Sequence, residues 1–143
     1  MSNRDAGINW DGGIEGQGIP WEQHVASQLS PDYLYVPDSK VVDHFNPTTG
    51  DVINSKTLNT ALPGYTFYPE NIFNTLSKYI SAFAKYVPGT NLRGWDVPPE
   101  KIQSRQIMLA VPEKTSPEQW AQIVRAQEFA ENNGVKLNVT RIR

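Results

Sequence analysis

Cysteine is missing from all 143 residues, and with it go a disulfide framework, a thiolate zinc site and a cysteine nucleophile. Long apolar runs are missing too. No stretch approaches the ~18–20 residues of a membrane helix, and the N-terminus lacks the charged-then-apolar layout of a signal peptide. Gly-x-Gly-x-x-Gly, a P-loop, Gly-x-Ser-x-Gly and His-Glu-x-x-His are absent, which removes support for nucleotide cofactors and several hydrolase classes. Net charge is scarce as well. Thirteen bases against 15 acids leave −2, at first sight the wrong balance for a nucleic-acid partner.

What is present suits one compact core: 38% of the residues are apolar and 10% aromatic, in a length typical of one domain. The charge is spread unevenly. Residues 1–72 carry three bases against nine acids, −6, and residues 73–143 carry ten against six, +4. An acidic half and a basic half that meet in space suit a carboxylate site beside a phosphate-binding surface.

Residues 1–18 hold five of the ten glycines and read as a flexible leader at the junction to a larger parent chain, ahead of a single domain over 19–143. Ile19-Pro20-Trp21 opens a short helix with Pro in its first turn, burying Trp21, Val25 and Leu29. Lys40–Phe45 and Asp51–Leu58 read as two strands around the turn Asn46-Pro47-Thr48-Thr49-Gly50, and residues 61–69 as a connection. Apolar residues from Ile72 to Val87 recur at helical spacing, which predicts a long amphipathic helix over 70–87. Residues 88–104 are irregular. Ile107–Val111 is a strand covered on both faces, and Ser116-Pro117-Glu118-Gln119 is a capping box. The helix it opens buries Trp120, Ile123, Val124 and Ala130 and ends at Gly134, before a last strand from Val135. The order predicts an α/β fold, a sheet with helices on its faces and a parallel crossover at its end.

Chemistry concentrates on the hairpin. Asn54 and Lys56 share one face of their strand, while Asp51 points the other way with Ile53 and Ser55. An Asp on the neighbouring strand, Asp43, can hold a divalent cation, and Lys56 can stabilise charge on a phosphate. The same pair also fits a cross-strand salt bridge on a solvated face. Glu22, at the margin of the first helix's apolar stripe, can complete a Glu/Asp/Lys hydrolase site, with Glu15 as a weaker alternative. His24 and His44, the two histidines, share a face with neither acid.

Five segments stand in the order of one toxin family's motifs. They are Gly-Gln-Gly-Ile-Pro-Trp-Glu (16–22), Asn-Ser-Lys-Thr-Leu-Asn-Thr (54–60), Arg-Gln-Ile-Met-Leu-Ala-Val-Pro (105–112), Thr-Ser-Pro-Glu-Gln-Trp (115–120) and Gly-Val-Lys-Leu-Asn-Val-Thr (134–140). Together they resemble the C-terminal nuclease toxin domain of bacterial contact-dependent growth inhibition (CdiA) proteins, over roughly residues 14–143.

The resemblance implies a PD-(D/E)XK nuclease fold, a mixed sheet flanked by helices, with the helix at about 70–87 as an insertion. It implies a metal-dependent DNase that is secreted to the cell surface and delivered into the cytoplasm of a neighbouring bacterium. A cognate immunity protein would bind the toxin as a heterodimer. The implied site falls on Glu22, Asp43, Asn54 and Lys56. Glu22, Asp43 and Asn54 would hold the metal, zinc first, with magnesium or manganese as alternatives. Asn54 departs from the Ser or acid common in the family and supplies no charge. Lys101, Arg105, Lys136, Arg141 and Arg143 become candidates for gripping the DNA backbone, and Arg93 and Trp95 in the irregular stretch for the immunity-protein contact. A tRNA-cleaving toxin of the same fold is the alternative, and a non-catalytic binding module a remoter one.

Overall fold

The computed structural model describes residues 6–36, 41–86 and 101–143. Five strands form one sheet in sequential order: β1 (Leu34–Tyr35), β2 (His44–Asn46), β3 (Asp51–Thr57), β4 (Ser104–Pro112) and β5 (Lys136–Ile142). The first three are antiparallel neighbours, and β3, β4 and β5 run parallel. This is the mixed sheet of a PD-(D/E)XK-like fold. Four helices accompany it: α1 (Gly13–Gln28), the single turn α2 (Pro63–Thr66), α3 (Glu70–Lys85) and α4 (Pro117–Asn132).

The sheet divides two cores. On one face α3 and α4 pack against Val52, Ile107, Leu109, Val111 and Leu137; on the other, Trp21 and Val25 of α1 pack against Ile53, Ala110 and Ile142. Alternation along β3 produces this split, because Val52 and Ile53 must face opposite ways. The hairpin between β2 and β3 closes as expected. Asn46 Oδ1 accepts the N–H groups of Thr48 and Thr49 at 2.9 and 3.1 Å, and Gly50 takes the left-handed conformation at φ +76°.

The first helix departs from the sequence reading. It begins at Gly13, so residues 13–18 are helix rather than leader, and Pro20 lies inside it. Proline has no N–H, so the carbonyl of Gly16, four residues back, lacks its helical partner. Asn9 N–H donates to that carbonyl at 2.8 Å instead. A Cβ on Gly16 would come within 2.9 Å of the Asn9 carbonyl oxygen, so glycine here serves close approach. Trp10 is held from three sides: its Nε1 donates to Ile142 O at 3.3 Å, while Gln17 and Asn59 donate to its carbonyl at 2.9 and 3.1 Å.

Other differences are smaller. The first expected strand shortens to His44–Asn46, which leaves Asp43 just ahead of it; β1 forms where no element is expected, and α2 lies within the 61–69 connection. β4 begins at Ser104, within the stretch read as irregular. The capping box at Ser116 forms, but α4 buries Gln119, Ile123, Ala126 and Ala130. Val124 is exposed, and the half-buried Trp120 is covered by the Arg141 guanidinium 4.2 Å from its ring centre. Glutamine can take the core position because its amide donates to Thr60 O and Tyr65 O, at 2.7 and 3.1 Å.

Candidate active site

The site grows from the place where β2 leaves β3. The ladder pairs His44 with Ile53, and Asp43 N–H still reaches Ile53 O at 2.8 Å. Ahead of that point side chains replace the ladder. The Asp43 carboxylate accepts the Ser55 backbone N–H at 2.6 Å, and the Asn54 amide donates to Val41 O. Val36 N–H, next to β1, donates to Asp43 O at 2.9 Å. Asp43 is thereby fixed in the fork between two strands.

Burial pushes the Asp43 carboxyl up to about 6, against the lowering effect of the Ser55 N–H. Glu22 nearby pushes it further up, and Lys56 pulls it down. Three side chains from α1, the fork and β3 therefore act on one another electrostatically. Asn54 joins from the same strand as Lys56. Both line a cleft of roughly 80 Å³ with Val41, Tyr79, Ala82 and Phe83. Asn54 Oδ1 and Ser55 Oγ are buried and have no hydrogen-bond partner among the described residues.

This donor chemistry fits a divalent cation. Glu22 and Asp43, close enough for one carboxylate to act on the other, and the Asn54 amide oxygen, which has no hydrogen-bond partner among the described residues, are oxygen ligands of the kind a hard ion takes. Among the described residues no group of three or more His, Cys, Asp or Glu comes together, so the set rests on two acids and an amide. The histidines lie elsewhere. His24 stacks on Trp21 at 5.5 Å, and buried His44, whose pKa desolvation lowers, packs edge-on to Tyr35 at 5.9 Å. Asp51, excluded by parity, is instead a structural anchor. It accepts from Tyr33 Oη, Ser104 Oγ and Gln106 Nε2, each at 2.7 Å.

The expected backbone-gripping bases are dispersed. Arg105 Nη1 donates to Phe83 O at 2.8 Å, and Arg141 Nη1 to the carbonyls of Glu113 and Thr115, both at 3.3 Å. Arg143 pairs with Glu113 at 3.8 Å. Lys101 and Lys136 are exposed; Lys136 and Arg105 line an open groove of roughly 640 Å³ at the start of β4 and β5. Arg93 and Trp95 lie outside the described residues. Two contributors escaped the sequence reading. Ser55 matters through its backbone N–H, which no residue type signals, and Tyr79 was absorbed into the apolar stripe of α3.

A family model for the CDI toxin restriction endonuclease-like domain matches residues 17–140. Deoxyribonuclease CdiA of Yersinia pseudotuberculosis serotype O:3 (strain YPIII) is 34% identical over 143 residues, 100% of this chain and 13% of that protein. Deoxyribonuclease CdiA-o11 of Escherichia coli O157:H7 (strain EC869) is 30% identical over 139 residues, 97% of this chain and 37% of that protein. The chain thus spans well under half the length of these curated relatives. A chain in the solved CdiA-CT/CdiI toxin and immunity complex from Yersinia pseudotuberculosis is 34% identical, with a TM-score of 0.75 covering 87% of this chain and 99% of that one.

Proposed function

Because this chain belongs to the family of CDI toxin restriction endonuclease-like domains, we propose that it is a metal-dependent DNase toxin domain. It cleaves phosphodiester bonds in a neighbouring bacterium, to which a larger parent protein delivers it, and a cognate immunity protein neutralises it. Both relatives are named as deoxyribonucleases, which supports DNA as the substrate, and the toxin and immunity complex supports the partner. The observation that carries the reading is the fork, where the Ser55 N–H holds the half-buried Asp43 carboxylate and Glu22 and Lys56 act on it with opposite signs.

Asp43 and Glu22 hold the divalent ion, with the free Asn54 oxygen as a further acceptor. Zinc, the metal inferred from the family resemblance, binds such a set; magnesium and manganese suit its all-oxygen character equally well. A bound ion supplies an electrophile for the scissile phosphate and acidity for water. The protein does the rest. Ser55 N–H holds the Asp43 carboxylate in place at the fork. Lys56 stands where it can neutralise charge developing on the phosphate oxygens. We assign the gripping of flanking phosphates first to Lys101 and Lys136, whose ammonium groups are exposed. The regions of Arg93 and Trp95 stay the candidate immunity-protein contact.

The decisive experiment incubates the domain with supercoiled plasmid and with total tRNA, under EDTA and then under added Zn²⁺, Mg²⁺ or Mn²⁺. Metal-dependent plasmid nicking is expected, reduced about a hundredfold or more in Asp43→Ala and Lys56→Ala. Cleavage confined to tRNA would transfer the site to an RNA substrate. Intact nucleic acid under every metal would overturn the nuclease reading.

A further inference from the structure

The side of α3 that faces the sheet is apolar at Ile72, Leu76, Ile80 and Phe83, all buried. Tyr79 stands at its margin, half-buried and packed against the same core. Its ring covers the end of Lys56, with Nζ 4.9 Å from the ring centre. Val41, Asn54, Ala82 and Phe83 complete the cleft that encloses them. Asp43 acts on Lys56 through space, whereas the ring is in contact with it. An ammonium over an aromatic face is drawn to the ring's quadrupole, and more strongly where water is displaced.

A lysine has four side-chain bonds to immobilise, and an unheld ammonium spends little time at one point. The fork carboxylate is fixed by backbone, but nothing on β3 fixes the end of Lys56. The ring does. We propose that Tyr79 is the positioning residue of this site, holding the Lys56 ammonium over its ring face so that it meets the phosphate beside Asp43. The proposal rests on the nuclease reading of Lys56. It makes α3, which enters the chain between β3 and β4, part of the catalytic apparatus.

The ring and not the hydroxyl is the working part, so Tyr79→Phe is expected to keep kcat within about threefold. Tyr79→Leu is expected to lose roughly ten- to a hundredfold in kcat at nearly constant KM for DNA, because positioning is lost while binding is not. Phenylalanines with increasing ring fluorination at position 79 keep the shape and drain the quadrupole, so kcat should fall stepwise along that series. The series also decides the matter if Tyr79→Leu does not fold. A readout free of metal and DNA comes from NMR. The Lys56 ε-methylene protons should lie upfield of an unstacked lysine in wild type and Tyr79→Phe, and return to the ordinary position in Tyr79→Leu. Ordinary shifts in wild type, or a flat fluorine series in an active enzyme, overturn the proposal. An inactive wild type with upfield protons overturns the nuclease reading, and the catalytic role with it, while bearing out the stack itself.

Discussion

The carboxylate we propose as a metal ligand is kept where charge is costly. Asp43 titrates near 6 in the folded protein, against 3.8 for an ordinary aspartate, chiefly because it is buried. Folding therefore favours its protonated form. This group's contribution to stability is greatest below about pH 4, falls as pH rises through about 6, and leaves a penalty of roughly 3 kcal/mol above that. Asp43→Asn removes the charge and keeps an oxygen for the Ser55 N–H. In EDTA at pH 8 the variant should be more stable than wild type by about 1–3 kcal/mol, the gap closing towards pH 4. Urea unfolding at the two pH values measures this, and a variant less stable at pH 8 refutes it. The same substitution should abolish nicking. The identity of Asp43, Glu22, Asn54 and Lys56 as candidates was legible in residue types and strand parity. That Asp43 is caught by a backbone N–H was not, because any residue at position 55 would offer one.

Elements were legible in proportion to the length of their periodicity. The stripe of α3 repeats over several turns and the capping box of α4 marks its start within four residues, and both elements stand within two or three residues of their predicted bounds. The start of α1 failed because its glycines look like flexibility in sequence. One of them, Gly16, is used for contact, in a helix whose Pro20 defect is repaired by Asn9. The two-residue β1 was invisible for the opposite reason, since it carries too few residues to show any period. At the hairpin, glycine does have the role its sequence context suggests. A side chain at Gly50 would run into the Lys101 carbonyl oxygen and Gln103, on a backbone already at φ +76°. Gly50 O also accepts the N–H of Gln103 at 2.8 Å, joining the hairpin to the lead of β4. Gly50→Ala should thus destabilise the fold by at least about 2 kcal/mol, seen as a lowered urea midpoint. A change below about 0.5 kcal/mol would show that the turn yields freely.

For the molecule as a whole, linear charge distribution turned out to be half an answer. Glu22 and Asp43 do come together from the acidic part of the chain, yet Lys56 belongs to that part too. In the basic part, Arg105 and Arg141 are engaged with backbone carbonyls and aromatic rings. Charge complementarity at this scale is made by three residues at one fork rather than by two halves. Trp10 offers a further test of long-range order. It ties the segment before α1 to Asn59 and to the end of β5. Trp10→Ala should cost about 1–3 kcal/mol through lost area and the orphaned Ile142 carbonyl, read by urea unfolding. No loss would return residues 6–12 to the status of a free leader.

The sequence by itself determined which residues are candidates for chemistry here, which faces of β3 they occupy, and the long elements whose apolar period repeats. These are properties of neighbours along the chain, and pleat and helix pitch convert them directly into direction. Only the tertiary structure decided where β2 leaves β3, that Ser55 N–H holds Asp43, that Tyr79 covers Lys56, and that two arginines are engaged with backbone carbonyls. Each of those joins residues well separated along the chain. Local pattern carries no information on which distant partner packing will supply.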